Sequence, residues 1–183
     1  QLERADPLAA GLESPARQLV AVDALQDAAS GVTLTVGIVS GGTRANVVPA
    51  EARATIDARA ITRADADRVT RAIRSLQPQI PGASLEVTGG FDRPPLERTP
   101  DVVRLFDMAS GVAARIGITL GEGSAGGGSD GNFTAALGVP TLDGFGAIGD
   151  GAHALHEHVE IDALVPRAAT IAGVLAALCR AGG

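Results

Sequence analysis

Residues 31–61 read GVTLTVGIVSGGTRANVVPAEARATIDARAI, and this stretch decides the fold. Val32, Leu34, Val36 and Ile38 alternate with Thr33, Thr35 and Gly37, the period of a half-buried strand. After Gly41-Gly42 the alternation returns over 47–61. Val48, Ala50, Ala52, Ala54, Ile56 and Ala58 are set there against Glu51, Arg53, Thr55, Asp57 and Arg59. Two such runs across a glycine turn predict an antiparallel strand pair with one apolar and one polar face.

Helical spacing flanks the pair on both sides. Over 15–29, Leu19, Val22, Leu25 and Gln26 follow Pro15, a favoured first-turn residue, and predict a helix. Thr62, with Asp65 three residues on, reads as an N-cap for a second helix with Val69, Ile73 and Leu76 inward, stopped by Pro78 and Pro81. Residues 83–91 resume strand alternation. Helix, strand, strand, helix, strand predicts a small α+β sandwich with its helices on one sheet face. Pro94-Pro95, with Pro100 close behind, marks the boundary between a first domain over 1–94 and a second over 95–183.

In the second domain, 101–116 reads as a helix, Ile118–Leu120 as a short strand, and Asn132–Leu137 as a helix capped by Ser129 or Asp130. VPTLDGFG (139–146) reads as a buried strand. Ile161, Leu164, Val165, Ala168, Ile171, Leu175 and Leu178 form an apolar stripe on a final helix, where Cys179 fits a buried reduced thiol. This alternation predicts part of a three-layer α/β domain.

Composition narrows the function. Twenty-one acidic and 15 basic residues are interspersed, leaving no basic stripe to neutralise phosphates, so nucleic acid is excluded as a partner. The apolar runs are short and broken by charge or glycine and the N-terminus has no signal-peptide pattern, so no membrane partner is expected and a cytoplasmic location is favoured. With four Phe and no Trp or Tyr, a substrate pocket has few rings to offer.

Three clusters carry chemistry. His153, His156 and His158, all the histidines of the chain, lie within six residues, as a metal or acid/base site or as a solvated loop would place them. GGGSDGN (126–132) is either a bare backbone approaching a ligand or a glycine turn with a helix cap. Asp57 and Arg59, two apart on a strand, suit a solvated ion pair, and residues 41–49 suit a long hairpin turn.

GGTRANVVPAEARATIDAR, FDRPP and GGGSDGNFTAALGVPTLDGFGAIGDGAH, with Glu157 and Val159, together resemble the zinc-dependent M20 peptidases, of the carboxypeptidase G2 and acetylornithine deacetylase type. The resemblance spans almost the whole chain. It implies a ferredoxin-like lid and dimerisation domain over 1–94, with the C-terminal part of a zinc-peptidase catalytic domain over 95–183. It also implies two zinc ions in the intact enzyme, hydrolysis of an amide beside a free carboxylate, and a homodimer formed through the lid. The substrate would be a small peptide or N-acyl amino acid.

Under the same resemblance His153 is a zinc ligand, ahead of the family's usual glutamate at Glu157. Asn46, Arg59 and Arg93 are substrate-binding residues of the lid, and Gly127, Gly128 and Ser129 line the substrate site. His156 matches no family role, and His158 stands where an aromatic residue is common. The family's remaining zinc ligands, its Glu-Glu pair with the general base and a lid His-Ala-Gly motif lie upstream of the matching segment. With one ligand and no catalytic base the chain is expected to be inert alone and to need the N-terminal catalytic half as partner. Two other readings stand beside this one: a non-catalytic dimerisation module, and a small metal-binding protein using His153, His156 and His158.

Overall fold

The computed structural model describes residues 7–181, which divide into two compact units, one up to Pro95 and one from Leu96. In the first, α1 (Pro7–Asp23) precedes β1 (Thr33–Gly41), β2 (Ala52–Arg59) and α2 (Arg63–Arg74). The strands pair antiparallel, from Thr33 opposite Arg59 to Gly41 opposite Ala52. The register shifts between Val36 and Ile38, where Gly37 forms a bulge. A one-residue slip exchanges the faces, so Ile38 comes opposite Thr55 on the polar side and lies exposed.

The core closes on the other face. Val32 and Leu34 are buried against Val22 of α1 and Val69 of α2, with Leu25, Ile56, Ala58, Ile73 and Phe91 packed around them. α2 begins where its capping spacing demands: Thr62 Oγ1 accepts from the Asp65 amide at 3.1 Å and donates to Asp65 Oδ2 at 2.6 Å.

Three expectations for this unit need correction. α1 runs through Pro15 and ends at Asp23 instead of reaching residue 29. The cause is Asp27, whose Oδ1 accepts from the Ala29 and Ser30 amides and whose backbone bridges Val32, a local turn that competes with helix. Gly31, at φ 71°, completes that turn. Residues 83–91 form no ladder. They are held by Phe91 in the core and by Arg74 donating to the Gly89 carbonyl at 3.0 Å, while Leu85 and Val87 stay partly exposed. Among the described residues the sheet of this unit therefore has two strands instead of the three expected.

The second unit contains α3 (Pro100–Ala114), α4 (Gly131–Ala136), β3 (Gly149–Asp150), β4 (His158–Val159) and α5 (Ile161–Ala181). Thr99 caps α3 and accepts from the Val102 amide, and Pro100 sits at the first turn. α3 packs against α5, with Ala109, Val112, Ala113 and Thr170 buried. Gly173 permits the close approach, since a Cβ there would lie 2.5 Å from Val112 Cγ1.

The three-layer α/β architecture is not found among the described residues of this unit. Neither 118–120 nor 139–146 is a strand, and its one sheet pairs two residues with two. A strand needs a neighbour for its amides and carbonyls, and these segments have none among the described residues; Val139 lies exposed. Cys179 is exposed too, because α5 buries one face and presents Ile161, Val165, Leu175 and Leu178 on the rest. By length and composition α5 could cross a membrane, with a mean hydropathy of 1.6, a property that reading short apolar runs overlooks.

Leu34→Ala should cost about 2–5 kcal/mol through the cavity it opens, while Leu155→Ala, at a fully exposed site, should stay within about 0.5 kcal/mol. Urea midpoints of the two variants check this. Acid should weaken the first unit. The Thr62 hydroxyl and then Arg68 hold the Asp65 carboxyl below its usual 3.8, and the Ser30 hydroxyl does the same for Asp27. A depressed carboxylate stabilises the fold fully above its unfolded pKa, and that contribution disappears as pH falls through the folded value. Thermal melts between pH 6 and 2 should show the loss below about pH 4, with a shallower slope in Asp65→Asn.

Candidate functional site

The residues singled out in the sequence divide between the two units. In the first, the bulged hairpin presents a polar outer face. On β2, Arg59 Nε donates to Asp57 Oδ2 at 2.8 Å, and both side chains are more than half exposed. An ion pair so exposed contributes about 0–1 kcal/mol, so stability alone gives little reason for it. The Arg59 Nη groups have no hydrogen-bond partner among the described residues. Asn46 stands exposed in the loop between the strands, inside a turn closed by the Val47 amide on the Arg44 carbonyl at 3.2 Å. Arg93 lies exposed two residues after the Phe91 anchor.

In the second unit the glycine loop leads into α4 through a reciprocal cap. Asn132 Oδ1 accepts from the Ser129 amide at 2.8 Å, and Ser129 Oγ accepts from the Gly131 amide at 3.2 Å. Ser129, and not Asp130, therefore supplies the capping side chain. Gly127 and Gly128 are exposed, and a Cβ at Gly127 would meet open space. Upstream, Arg98 grips Glu122 with two bonds, Nη2 to Oε1 at 2.7 Å and Nε to Oε2 at 2.9 Å. That fork holds the Glu122 carboxyl below its usual range and raises Arg98. Separated by 24 residues, the pair has no local signature in sequence.

The histidines sit on a small hairpin. β3 and β4 pair Asp150 with His158 and Gly149 with Val159, and two turns close the loop, Ala154 amide to Gly151 carbonyl and Glu157 amide to Ala154 carbonyl. His153 is the one described non-glycine residue with left-handed backbone, at φ 66°. It occupies the third position of the first turn, where a positive φ favours glycine. His156 packs over Gly151, and His158 Nδ1 lies 3.1 Å from the His156 carbonyl oxygen.

No group of three or more His, Cys, Asp or Glu able to hold a metal exists among the described residues. A self-contained site built from His153, His156 and His158 is therefore not formed. A hairpin backbone has no i, i+4 register to stack imidazoles on one face.

Residues 12–81 match the family described as the peptidase dimerisation domain of the M20 peptidases. Residues 12–81 are thus an M20 peptidase dimerisation domain. It is 30% identical over 147 residues to carboxypeptidase G2 of Pseudomonas sp. (strain RS-16), covering 78% of this chain and 35% of that protein. In fold it resembles the aminopeptidase PepT from Bacillus cereus ATCC 10987, with a TM-score of 0.61 and 19% identity over 90% of this chain and 47% of that one. The chain thus spans less than half the length of each of these M20 relatives.

Sequence reading missed two arginines that organise loops, Arg98 and Arg167, since each reaches a partner more than twenty residues away. The left-handed His153 was equally invisible, although Gly151-Ala-His resembles a turn.

The backbone at His153 generates a stability prediction. His153→Gly should leave the urea midpoint unchanged or raise it, because the left-handed cost of about 1–2 kcal/mol disappears. A β-branched replacement, His153→Val, should lower it.

Proposed function

We propose that this chain is part of a di-zinc amidohydrolase or exopeptidase that cleaves an amide bond next to a free carboxylate, on a small peptide or N-acyl amino acid. The observation that carries the reading is the peptidase dimerisation match over 12–81, together with identity to carboxypeptidase G2 extending over 147 residues. Residues 1–94 are the lid and dimerisation domain, and 95–183 are the C-terminal part of the catalytic domain.

In this reading Arg59 engages the substrate carboxylate. Asp57 orients the guanidinium through Nε and leaves the terminal nitrogens facing outward, a fork suited to two carboxylate oxygens. Asn46 donates from the hairpin loop, and Arg93 adds charge to the same carboxylate pocket. Gly127, Gly128 and Ser129 line the substrate site, where bare backbone admits close approach.

The described residues do not make a zinc site by themselves. His153 is proposed as this chain's one ligand, and no catalytic step is assigned to the chain. The strained backbone at His153 supports a role for that residue, since such strain persists where surrounding structure enforces it. The other ligands and the base belong to the assembled enzyme, so the 183 residues alone are inert.

Dimerisation is the second element of the proposal. β1 and β2 have no further strand neighbour among the described residues, and an unpaired edge is a template for pairing with a second copy. Sedimentation equilibrium should give twice the 18.3 kDa chain mass.

The substrate reading is tested with N-acetylglutamate titrated into the isotope-labelled chain. Arg59 Nε–H and Asn46 side-chain signals should shift with an affinity of about 1 mM, as one exposed carboxylate contact supplies, and Arg59→Ala should abolish the shifts. Silence at both residues would sink the carboxylate assignment. Zinc calorimetry and hydrolysis assays on N-acetyl and folyl-glutamate compounds should show weak or no binding and no turnover. Tight one-to-one binding or turnover would overturn the reading of an incomplete site.

A further inference from the structure

The hairpin that carries His153 is too small to orient itself. Its ladder pairs only Gly149 with Val159 and Asp150 with His158, and so short a ladder is unstable alone. Between α4 and β3 the chain has no regular structure, and Gly144 adopts φ 75°. Something else must hold the approach to the hairpin.

We propose that Arg167 of α5 is a positioning residue that clasps Gly144-Phe145-Gly146 and thereby fixes the hairpin presenting His153. Arg167 Nε donates to the Gly146 carbonyl at 2.9 Å, and Nη2 donates to the Gly144 carbonyl. The guanidinium lies 5.4 Å from the centroid of the Phe145 ring, a cation–π distance. No carboxylate pairs with Arg167 among the described residues, so its charge is directed to this backbone. Planar, five-donor geometry lets one arginine bridge two carbonyls while its charge lies over the ring between them, an arrangement lysine cannot reproduce.

The clasp acts within a short tether. Two residues after Gly146, the Ile148 carbonyl accepts from the Glu160 amide at 2.8 Å, tying the hairpin base to the start of α5. Ile148 and Arg167 also border an apolar groove of about 330 Å³, together with Leu120, Ala163 and Pro166. Arg167 and the Glu160 bond therefore fix both ends of 144–160 against α5, and the turn at His153 is the part between them. The functional weight of this clasp rests on the assignment of His153 proposed above, but the clasp itself is a property of the chain.

The test uses Arg167→Met and Arg167→Lys in the full chain. Met keeps much of the stem and removes the charge and donors. Lys keeps the charge and loses the fork. In R167M, amide exchange across Gly149–Val159 should accelerate about tenfold, the size expected for losing charge-assisted bonds, while α3 is unchanged. His153 amide and ring signals should shift in the same variant, and R167K should fall between R167M and the parent. Unchanged hairpin exchange with unchanged His153 signals in R167M would overturn the proposal. An equal acceleration along α3 would also overturn it, since that is general loosening. Should R167M fail to fold, R167K is read by the same two signals. These signals are independent of N-acetylglutamate and zinc, so failure of the substrate reading leaves them standing.

Discussion

An isolated pair of strands cannot hold itself together in water, and the first unit is built around that constraint. β1 and β2 satisfy one another's amides and carbonyls along one side each, and gain stability only when an apolar face is covered. Val22 and Val69 provide the cover by closing over Val32 and Leu34. The polar face, with Thr33, Thr35, Asp57 and Arg59, is left open as a consequence, and it is there that the candidate carboxylate-binding arginine stands. Gly37 divides the hairpin. Before it the alternation feeds the core, and beyond it the register slip sends Ile38 to the polar side and carries the strands toward the Asn46 loop.

Outside the hairpin, arginines take over much of the work that a sheet would do. Arg74 holds the Gly89 carbonyl, Arg98 grips Glu122 at the start of the glycine-rich loop, and Arg167 clasps the segment leading to the histidine hairpin. In each case a long side chain from a helix or its approach reaches a segment lacking a ladder partner. A guanidinium donates to backbone carbonyls for which no neighbouring strand offers an amide, as Arg74 and Arg167 do, or grips a loop carboxylate, as Arg98 does, at the entropic cost of ordering one side chain.

Much of the first unit was legible because its signals are local. The alternation of Val32, Leu34 and Val36 and the run over 47–61 identified the strand pair and its buried face, although β2 begins only at Ala52 and Ile38 leaves that face, and Thr62 with Asp65 marked the start of α2. Asp27 was not weighed, although an Asp-x-x-Ser-Gly turn competes with the helix that the apolar spacing extended to residue 29. The candidate site was legible as residue types in a family order, with the polar strand face and the Ser129 cap readable from spacing. Its geometry was not: the left-handed His153 and the clasp of Arg167 depend on contacts between segments distant in sequence.

The sequence by itself determined which residues can share a face, where helices begin, and which clusters carry chemistry, because periods of two and 3.6 and three-residue capping spacings are properties of neighbouring residues. Only the tertiary structure decided whether an apolar run became a strand. Residues 83–91 and 139–146 have strand composition, yet a ladder exists only where a second backbone lies alongside, and among the described residues none does. It also decided that α5 buries only one face and that Cys179 is exposed, since burial depends on what packs against a surface and not on the apolarity of the surface itself.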